Sequence, residues 1–113
     1  MINKNELRIN NYVKTVYDEL GYIKINEILD SVVNSDKTKG ISYSSLNPIK
    51  LTEEILLKCG FKFKKGYFIY EMFNIVNIDN VFYCNSNGIY ISNLHQLQNL
   101  YFALTGEELT ITL

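Results

Sequence analysis

Residues 48–61 read PIKLTEEILLKCGF and lie between two stretches rich in β-branched and aromatic residues. Thr52 is suited to cap a helix, because its hydroxyl can accept a hydrogen bond from a free backbone amide. Glu53 and Glu54 then place negative charge at the positive end of the helix dipole, and Gly60 provides a left-handed stop. The segment therefore predicts a short helix over Glu53 to Cys59 that packs its apolar side against a sheet.

The sequence before this helix is typical of strands. Tyr12 to Tyr17 is followed by a turn at residues 18–21 and by the alternating run Tyr22 to Ile28. Because Gly21 can adopt a positive φ, these residues predict a β-hairpin. A polar loop, Asn34 to Gly40, and a short strand near Ile41 to Tyr43 complete this half.

The sequence after the helix predicts an antiparallel meander. Residues 67–91 are rich in aromatic and β-branched side chains, and two turn signals divide them, Asp79-Asn80 and Asn87-Gly88. The stretch Lys58 to Phe68 combines lysines with aromatics and leaves two interpretations open. It could bind single-stranded nucleic acid, or form a half-buried edge strand whose lysines discourage edge pairing, which we favour.

A second helix is expected near the C-terminus, with Asn93 as its N-cap, Gln96 completing an amide capping box and Gly106 ending it. The alternation over Leu109 to Leu113 predicts a final short strand. The apolar stripe of this helix comprises Leu94, Leu97, Leu100, Tyr101 and Leu104.

Together these elements predict an α+β fold for the 113 residues. A small curled N-terminal β unit and the antiparallel meander pack with two short helices around one core. This length is ordinary for one domain and short for two, so residues 1–113 are expected to form a single domain.

Charge and hydropathy argue against several classes of partner. The 11 basic and 12 acidic residues give no net field that would attract nucleic acid or anionic membrane, and Arg8 is the only arginine. No apolar run approaches the ~20 residues that span a bilayer, so we expect a cytoplasmic protein. Cys59 and Cys84 are expected to be buried thiols.

The sequence contains few residues that could carry out catalysis or bind a metal ion. His95 is the only histidine and has no evident nucleophile beside it, so we expect neither an enzyme nor a cofactor. One histidine and two separated cysteines do not supply a zinc site. The acidic pair Glu53-Glu54 is explained by the helix dipole, and Glu107-Glu108 by a solvated turn.

Binding to a partner is favoured instead. The nine tyrosines are a compositional hint, since tyrosine combines large contact area with a polar tip. We predict a partner-binding surface around the last helix. In the alternative interpretation, Phe102 packs under the C-terminal strand, and the side-chain amides of Gln98 and Asn99 face water. The predicted surface comprises His95, Gln98, Asn99, Tyr101 and Phe102.

Three stretches carry a resemblance to known sequences. They read NELRINNYV at residues 5–13, PIKLTEEILLKCGF at residues 48–61 and LHQLQNLYFALTGEEL at residues 94–109. On these residues the chain resembles a family of small proteins from phages and prophages of Bacteroidota, whose members read ELRIGN-V, PIPLTEEWLLKFGF and HQLQNLYFALTGEEL. Asn10 stands where members usually have Gly, Lys50 where they often have Pro, and Ile55 where they often have Trp.

The resemblance implies a phage or prophage accessory protein. The usual glycine implies a tight turn after Ile9, and the opening stretch also resembles the first strand of a small SH3-like barrel. Two hypotheses follow: a non-enzymatic module that binds a host or phage protein, alone or as a small homo-oligomer, or a protein that sequesters a nucleotide signal of host defence.

Overall fold

The computed structural model describes residues 2–71 and 73–113. Within them lie two five-stranded antiparallel sheets and two α-helices, which confirms the α+β fold. The N-terminal sheet contains β1 (Tyr12–Thr15), β2 (Tyr22–Ile28), β3 (Val32–Ser35), β4 (Ile41–Ser42) and β5 (Leu46–Asn47). The remaining elements are α1 (Glu53–Lys58), β6 (Lys62–Lys64), β7 (Tyr67–Tyr70), β8 (Phe73–Ile78), β9 (Val81–Cys84), β10 (Tyr90–Ile91) and α2 (Leu94–Thr105).

The N-terminal sheet has the order β4-β3-β2-β1-β5 and is curled, as predicted. The first half of β2 pairs with β1 and the second half with β3. A register shift between Ile25 and Glu27 separates the two halves, and such a bulge bends a strand. A 3-10 turn, Tyr43–Ser45, leads from β4 to β5, which returns to pair with β1. Whether this curl is an SH3-like barrel stays a prediction.

The first hairpin is confirmed, with Gly21 at φ 61° between β1 and β2. The predicted polar loop begins too early. Asn34 and Ser35 belong to β3, because they pair with Glu27 and Ile25 of β2. Asn34 lies on the more exposed side of β3, whereas Ser35 is buried and its hydroxyl donates to the Thr38 carbonyl at 3.0 Å, so polar composition alone suggested a loop.

The second sheet is the predicted meander, in the order β10-β9-β8-β7-β6. Asp79 and Asn80 form the two-residue connection between β8 and β9 with φ 53° and 65°. Positive φ at both positions is the signature of the type I′ turn, whose twist matches that of the flanking strands.

Helix α1 has the predicted caps. Thr52 Oγ1 accepts a hydrogen bond from the Ile55 amide at 3.2 Å. At the other end, the Gly60 amide donates to the Leu57 carbonyl at 3.1 Å and the Phe61 amide to the Leu56 carbonyl at 3.1 Å. This pair of bonds is a Schellman motif, which satisfies carbonyls that the helix leaves free.

Helix α2 departs from the prediction in its cap, its stripe and its tail. Asn93 caps it, but Gln96 Oε1 accepts from the amide of Ser92 instead of Asn93. Leu104 is exposed, since the stripe turns toward Gln98. The tail after α2 forms no strand, and its Thr112 amide donates a hydrogen bond to the Lys58 carbonyl of α1.

No helix in the described residues is long and apolar enough to cross a membrane.

The expectation of a single core is wrong, because the buried apolar side chains form two clusters. The larger cluster lies between the second sheet and the two helices and includes Leu56, Phe68, Ile75, Leu97 and Tyr101. The smaller cluster lies inside the curled sheet and includes Ile2, Val13, Ile23, Val33 and Leu46. The molecule is correspondingly elongated, 43 × 27 × 22 Å, and α2 contacts β1 between the two units.

Candidate functional site

The residues predicted to meet a partner all lie on α2, but most are not on the surface. His95 and Gln98 are 2% exposed and Tyr101 is 3% exposed. Tyr101 packs its ring 5.8 Å from those of Tyr70 and Phe73 in the larger core cluster. The structure therefore corrects the prediction of an accessible surface at His95, Gln98 and Tyr101.

Gln98 binds the backbone of the segment that leads into β1. Its Oε1 accepts from the Tyr12 amide at 2.8 Å, and its Nε2 donates to the Asn10 carbonyl at 2.8 Å. The oxygen and the nitrogen of this side-chain amide thus bond to backbone groups in the way that the backbone of a neighbouring strand would. Gln98 does not face water, as the alternative interpretation required.

Asn99 extends this contact by one residue along the helix. Its Oδ1 accepts from Asn11 Nδ2 at 2.8 Å and from Arg8 Nη1 at 3.1 Å. Its Nδ2 donates to the Glu6 carbonyl at 2.8 Å. Asn99 is half-buried and these side-chain hydrogen bonds go to the N-terminal segment, so it holds α2 against that segment.

Arg8 closes the exposed side of the same contact. Its guanidinium forms an ion pair with Glu108 and lies 4.1 Å from the ring centroid of Phe102. Phe102 therefore packs under Arg8 and not under a C-terminal strand. Glu107 and Glu108 are both exposed just beyond α2, as a solvated turn predicts, and Glu108 is in addition contacted by Arg8 and Asn10.

His95 is bonded to the N-terminal segment through one ring nitrogen. Its Nε2 lies 3.1 Å from Glu6 Oε1, and its Nδ1 has no partner in the described residues. Burial lowers the pKa of His95 below 6.5, while the hydrogen bond and the charge of Glu6 act in the opposite direction. The imidazole is therefore favoured in its neutral form at pH 7.

We call these contacts the joint, defined as Glu6, Arg8, Asn10, Asn11 and Tyr12 together with His95, Gln98, Asn99, Phe102 and Glu108. The joint unites the first and third stretches that carry the resemblance. The second stretch also reaches the start of α2, because the Leu94 amide donates to the Ile49 carbonyl at 2.8 Å. The first and third stretches therefore have a structural role in holding the two units together.

The predicted turn after Ile9 is present although Asn10 replaces glycine. Asn10 has φ 80°, and the Asn11 amide donates to the Arg8 carbonyl at 3.1 Å across the turn. Asparagine adopts this left-handed conformation more readily than other non-glycine residues.

We expect Asn10→Gly to change the free energy of unfolding by less than about 1 kcal/mol, because glycine relieves the positive φ while one bond to Glu108 is lost. Asn10→Val should destabilise by roughly 1–3 kcal/mol, since a β-branched residue is strained in this conformation. Urea unfolding of both variants measures the difference. Equal stability of the two variants would show that the backbone of the turn does not constrain residue 10.

The protein should become less stable as the pH falls, and part of this loss should come from protonation of His95. Because the folded pKa is lowered, the unfolded chain binds the proton more tightly, and stability present above pH 6.5 is lost as the pH falls. The loss is bounded by about 1.4 kcal/mol per pH unit. His95→Gln keeps a donor for Glu6 but does not titrate, so urea unfolding at pH 7.5 and 5.5 should show a smaller loss. An equal loss in both proteins would contradict the burial of a neutral imidazole.

Two clefts border the joint, and several of their polar groups are engaged within the protein, although His95 Nδ1, at the first cleft, has no partner in the described residues. The first, of about 370 Å³, is lined by Glu6, Ser92, Asn93, His95, Gln96 and Asn99. Gln96, for example, binds Ser92 through its oxygen and the Tyr90 carbonyl through its nitrogen at 2.7 Å. The second, of about 300 Å³, includes Tyr12, Lys24 and Gln98. In the described residues, no three of His, Cys, Asp and Glu converge as metal ligands would.

The second sheet has one face on the core and one face open, which we call the outer face. The register fixes its side chains, because cross-strand partners point to the same side. One row runs across all five strands through Lys64, Tyr67, Val76, Tyr83 and Tyr90. The other side chains of the outer face are Lys62, Ile69, Asn74, Ile78 and Val81.

The outer face is aromatic and accessible. Tyr67 is 36% exposed and Tyr90 is 51% exposed, and the rings of Tyr83 and Tyr90 lie 5.9 Å apart. Asn74, Val76 and Tyr83 are half-buried by their neighbours on the sheet. Apart from two lysines at the β6 margin, the side chains of this face carry no formal charge.

The edge-strand interpretation of the basic aromatic stretch is confirmed by the position of β6 at the end of the second sheet. The expectation that this strand is half-buried is wrong, because all three of its residues are exposed and Phe63 is 60% exposed. The Phe63 ring nevertheless lies 4.9 Å from the ring of Phe68 on the neighbouring strand.

Comparison with protein-family profiles, with curated proteins and with solved structures finds no match to this chain.

Proposed function

We propose that the protein is a non-enzymatic binding module that docks another protein on its outer face. The observation that carries this proposal is the row of Tyr67, Tyr83 and Tyr90 across an open sheet face. Tyrosine and aliphatic side chains together supply the apolar area and the polar tips that dominate binding energy in protein interfaces.

The phage or prophage setting of this module rests on the three stretches that resemble the Bacteroidota phage family. In that setting the partner is a host or phage protein. The stretches themselves contribute the joint between the two units, and the outer face lies in the sequence between the second and third of them.

The environments of His95 and Cys59, the side chains best suited to general-base or nucleophilic chemistry, support a role other than catalysis. His95 is buried, and its Nε2 is engaged by Glu6. Burial raises the pKa of the Cys59 thiol to about 12, so the nucleophilic thiolate is scarce at neutral pH. Neither side chain has the combination of access and activation that a nucleophile or a general base requires.

The proposal is tested by affinity capture from host-cell lysate with quantitative mass spectrometry. We compare wild type with Tyr67→Ser/Tyr83→Ser/Tyr90→Ser and with the control Tyr17→Ser/Tyr22→Ser, whose tyrosines are exposed on the N-terminal unit. A protein retained by wild type and control but lost from the outer-face variant supports the proposal. If every retained protein binds all three forms equally, the outer face is not the docking site.

One observation favours the alternative, a protein that sequesters a nucleotide. The cleft of about 300 Å³ at the joint is lined by Lys24 and Tyr12, and the Lys24 ammonium lies 6.0 Å from the Tyr12 ring centroid. A cation and an aromatic ring could contact a phosphate and a base, and the volume is at the lower end of ligand sites. Thermal unfolding with a nucleotide panel tests it, because a ligand at a hundred times its Kd stabilises by about 2.7 kcal/mol.

A further inference from the structure

The outer face carries its charge at one margin only. Lys62 and Lys64 project from β6 beside Ile69 and Tyr67, while the opposite margin ends with Tyr90. Glu71, in the turn after β7, lines a cleft together with Lys62, Lys64 and Ile69, so this margin holds two lysines and one carboxylate and keeps a net positive charge, while Asp79 lies in the turn after β8. A ligand that crosses the sheet therefore meets positive charge first and an aromatic row afterwards.

We propose that the outer face binds an extended acidic segment of another protein, with its carboxylates beside Lys62 and Lys64 and its apolar side chains over the tyrosine row. This inference rests on the proposed function and specifies the partner. Four strand spacings of about 4.8 Å make the row about 19 Å long, which matches roughly six residues of extended chain. Opposite charge at one margin fixes the direction in which the segment lies and favours its encounter.

A second copy of the chain fits this face poorly. A row of about 19 Å and a width of about four residues give a footprint of roughly 250 Å². A stable protein pair buries about 800 Å² on each side, so this face alone is too small for a lasting homodimer. Lysines on an edge strand also disfavour pairing with an identical edge.

Single-stranded nucleic acid also fits the face less well than an acidic segment. It carries a phosphate at every nucleotide and needs cations along its whole path. Here the lysines stand at one margin, and Arg8 is occupied by Glu108 and Asn99 in the joint. An acidic segment needs positive charge at one end only.

The experiment selects displayed random twelve-residue peptides on the wild-type protein and on Lys62→Glu/Lys64→Glu. We expect wild type to enrich peptides in which Asp or Glu adjoins apolar residues, and the charge-reversed variant to enrich Lys or Arg there. The best wild-type peptide, synthesised with a fluorophore, should bind the charge-reversed variant at least tenfold more weakly by anisotropy. The control Lys14→Glu/Lys39→Glu changes two exposed lysines of the N-terminal unit and should bind as wild type does.

The outcomes separate this inference from the proposed function. Peptides that lose binding in Tyr67→Ser/Tyr83→Ser/Tyr90→Ser but show no acidic preference would overturn the inference and leave the outer face as the docking site. Selected peptides indifferent to both the tyrosines and the lysines would overturn both. Failure to enrich any peptide would overturn the inference, and the capture experiment would then judge the proposed function alone. Tyrosine-dependent binding of a labelled twelve-residue oligothymidylate, tighter than that of any peptide, would assign the face to nucleic acid.

Discussion

Replacing Gln98 with Ala is expected to destabilise the protein by roughly 2–4 kcal/mol, because two hydrogen bonds vanish and two backbone groups lose their partners. Gln98 is 2% exposed, and its amide satisfies the Tyr12 amide and the Asn10 carbonyl. Neither backbone group gains another partner when the side chain is truncated, unless water enters the space. The effect should be larger than that of any exposed polar residue.

Chemical unfolding of Gln98→Ala measures this loss, with Asn85→Ala as the control because Asn85 is exposed in the loop between β9 and β10. The control should lie within about 0.5 kcal/mol of wild type. A cost below about 1 kcal/mol for Gln98→Ala would contradict the role of the joint in holding α2 to the N-terminal unit.

Replacing Ile75 with Ala should cost about 2–5 kcal/mol, while replacing Ile78 with Ala in the same strand should cost less than about 1 kcal/mol. Ile75 is 0% exposed in the larger core cluster, whereas Ile78 is 54% exposed on the outer face. The chemical change is identical, so the difference reports which side of β8 packs on the helices. The larger cost of Ile75→Ala combines the lost free energy of moving the side chain from water into the core with the cost of the cavity that remains.

Urea denaturation of the two variants gives the comparison directly. Equal costs for Ile75→Ala and Ile78→Ala would mean that both faces of the second sheet are covered, and an open outer face would then be wrong. Since Ile78 belongs to the proposed docking face, Ile78→Ala should instead weaken partner binding.

Local signals predicted the helices and hairpins well because their causes are local. The caps at Thr52 and Asn93 and the turns at Gly21 and Asp79-Asn80 each depend on a few neighbouring residues. The tail was mispredicted as a strand for the complementary reason. Leu109 is buried and Ile111 half-buried while Thr110 and Thr112 are exposed, so the alternation marks one-sided burial, but a strand also needs a partner strand that the sequence does not specify.

The burial of Gln98 could have been predicted from spacing alone. Leu94, Leu97, Gln98 and Tyr101 follow the i, i+3, i+4, i+7 pattern of a buried helical stripe. The polarity of Gln98 indicated a surface position. Its buried amide is instead satisfied by backbone groups of Tyr12 and Asn10, which are 86 and 88 positions away in the sequence. No local rule anticipates such a partner.

The outer face was not predicted because a period of two identifies the two sides of a strand but not which side the helices cover. The nine tyrosines indicated binding only through composition. The pairing of Tyr67 with Val76, Val76 with Tyr83 and Tyr83 with Tyr90 depends on the register of four strands. Two clusters of buried residues, in place of one core, follow from the same long-range pairing.

The most direct test of the docking face is hydroxyl-radical footprinting of tyrosine side chains, with and without a partner obtained by capture or peptide selection. We expect Tyr67 and Tyr90 to be oxidised in the free protein and protected in the complex, while the exposed Tyr17 and Tyr22 keep their reactivity. Protection at Tyr17 or Tyr22, with Tyr67 and Tyr90 unchanged, would contradict the proposal that the protein binds its partner through the outer face.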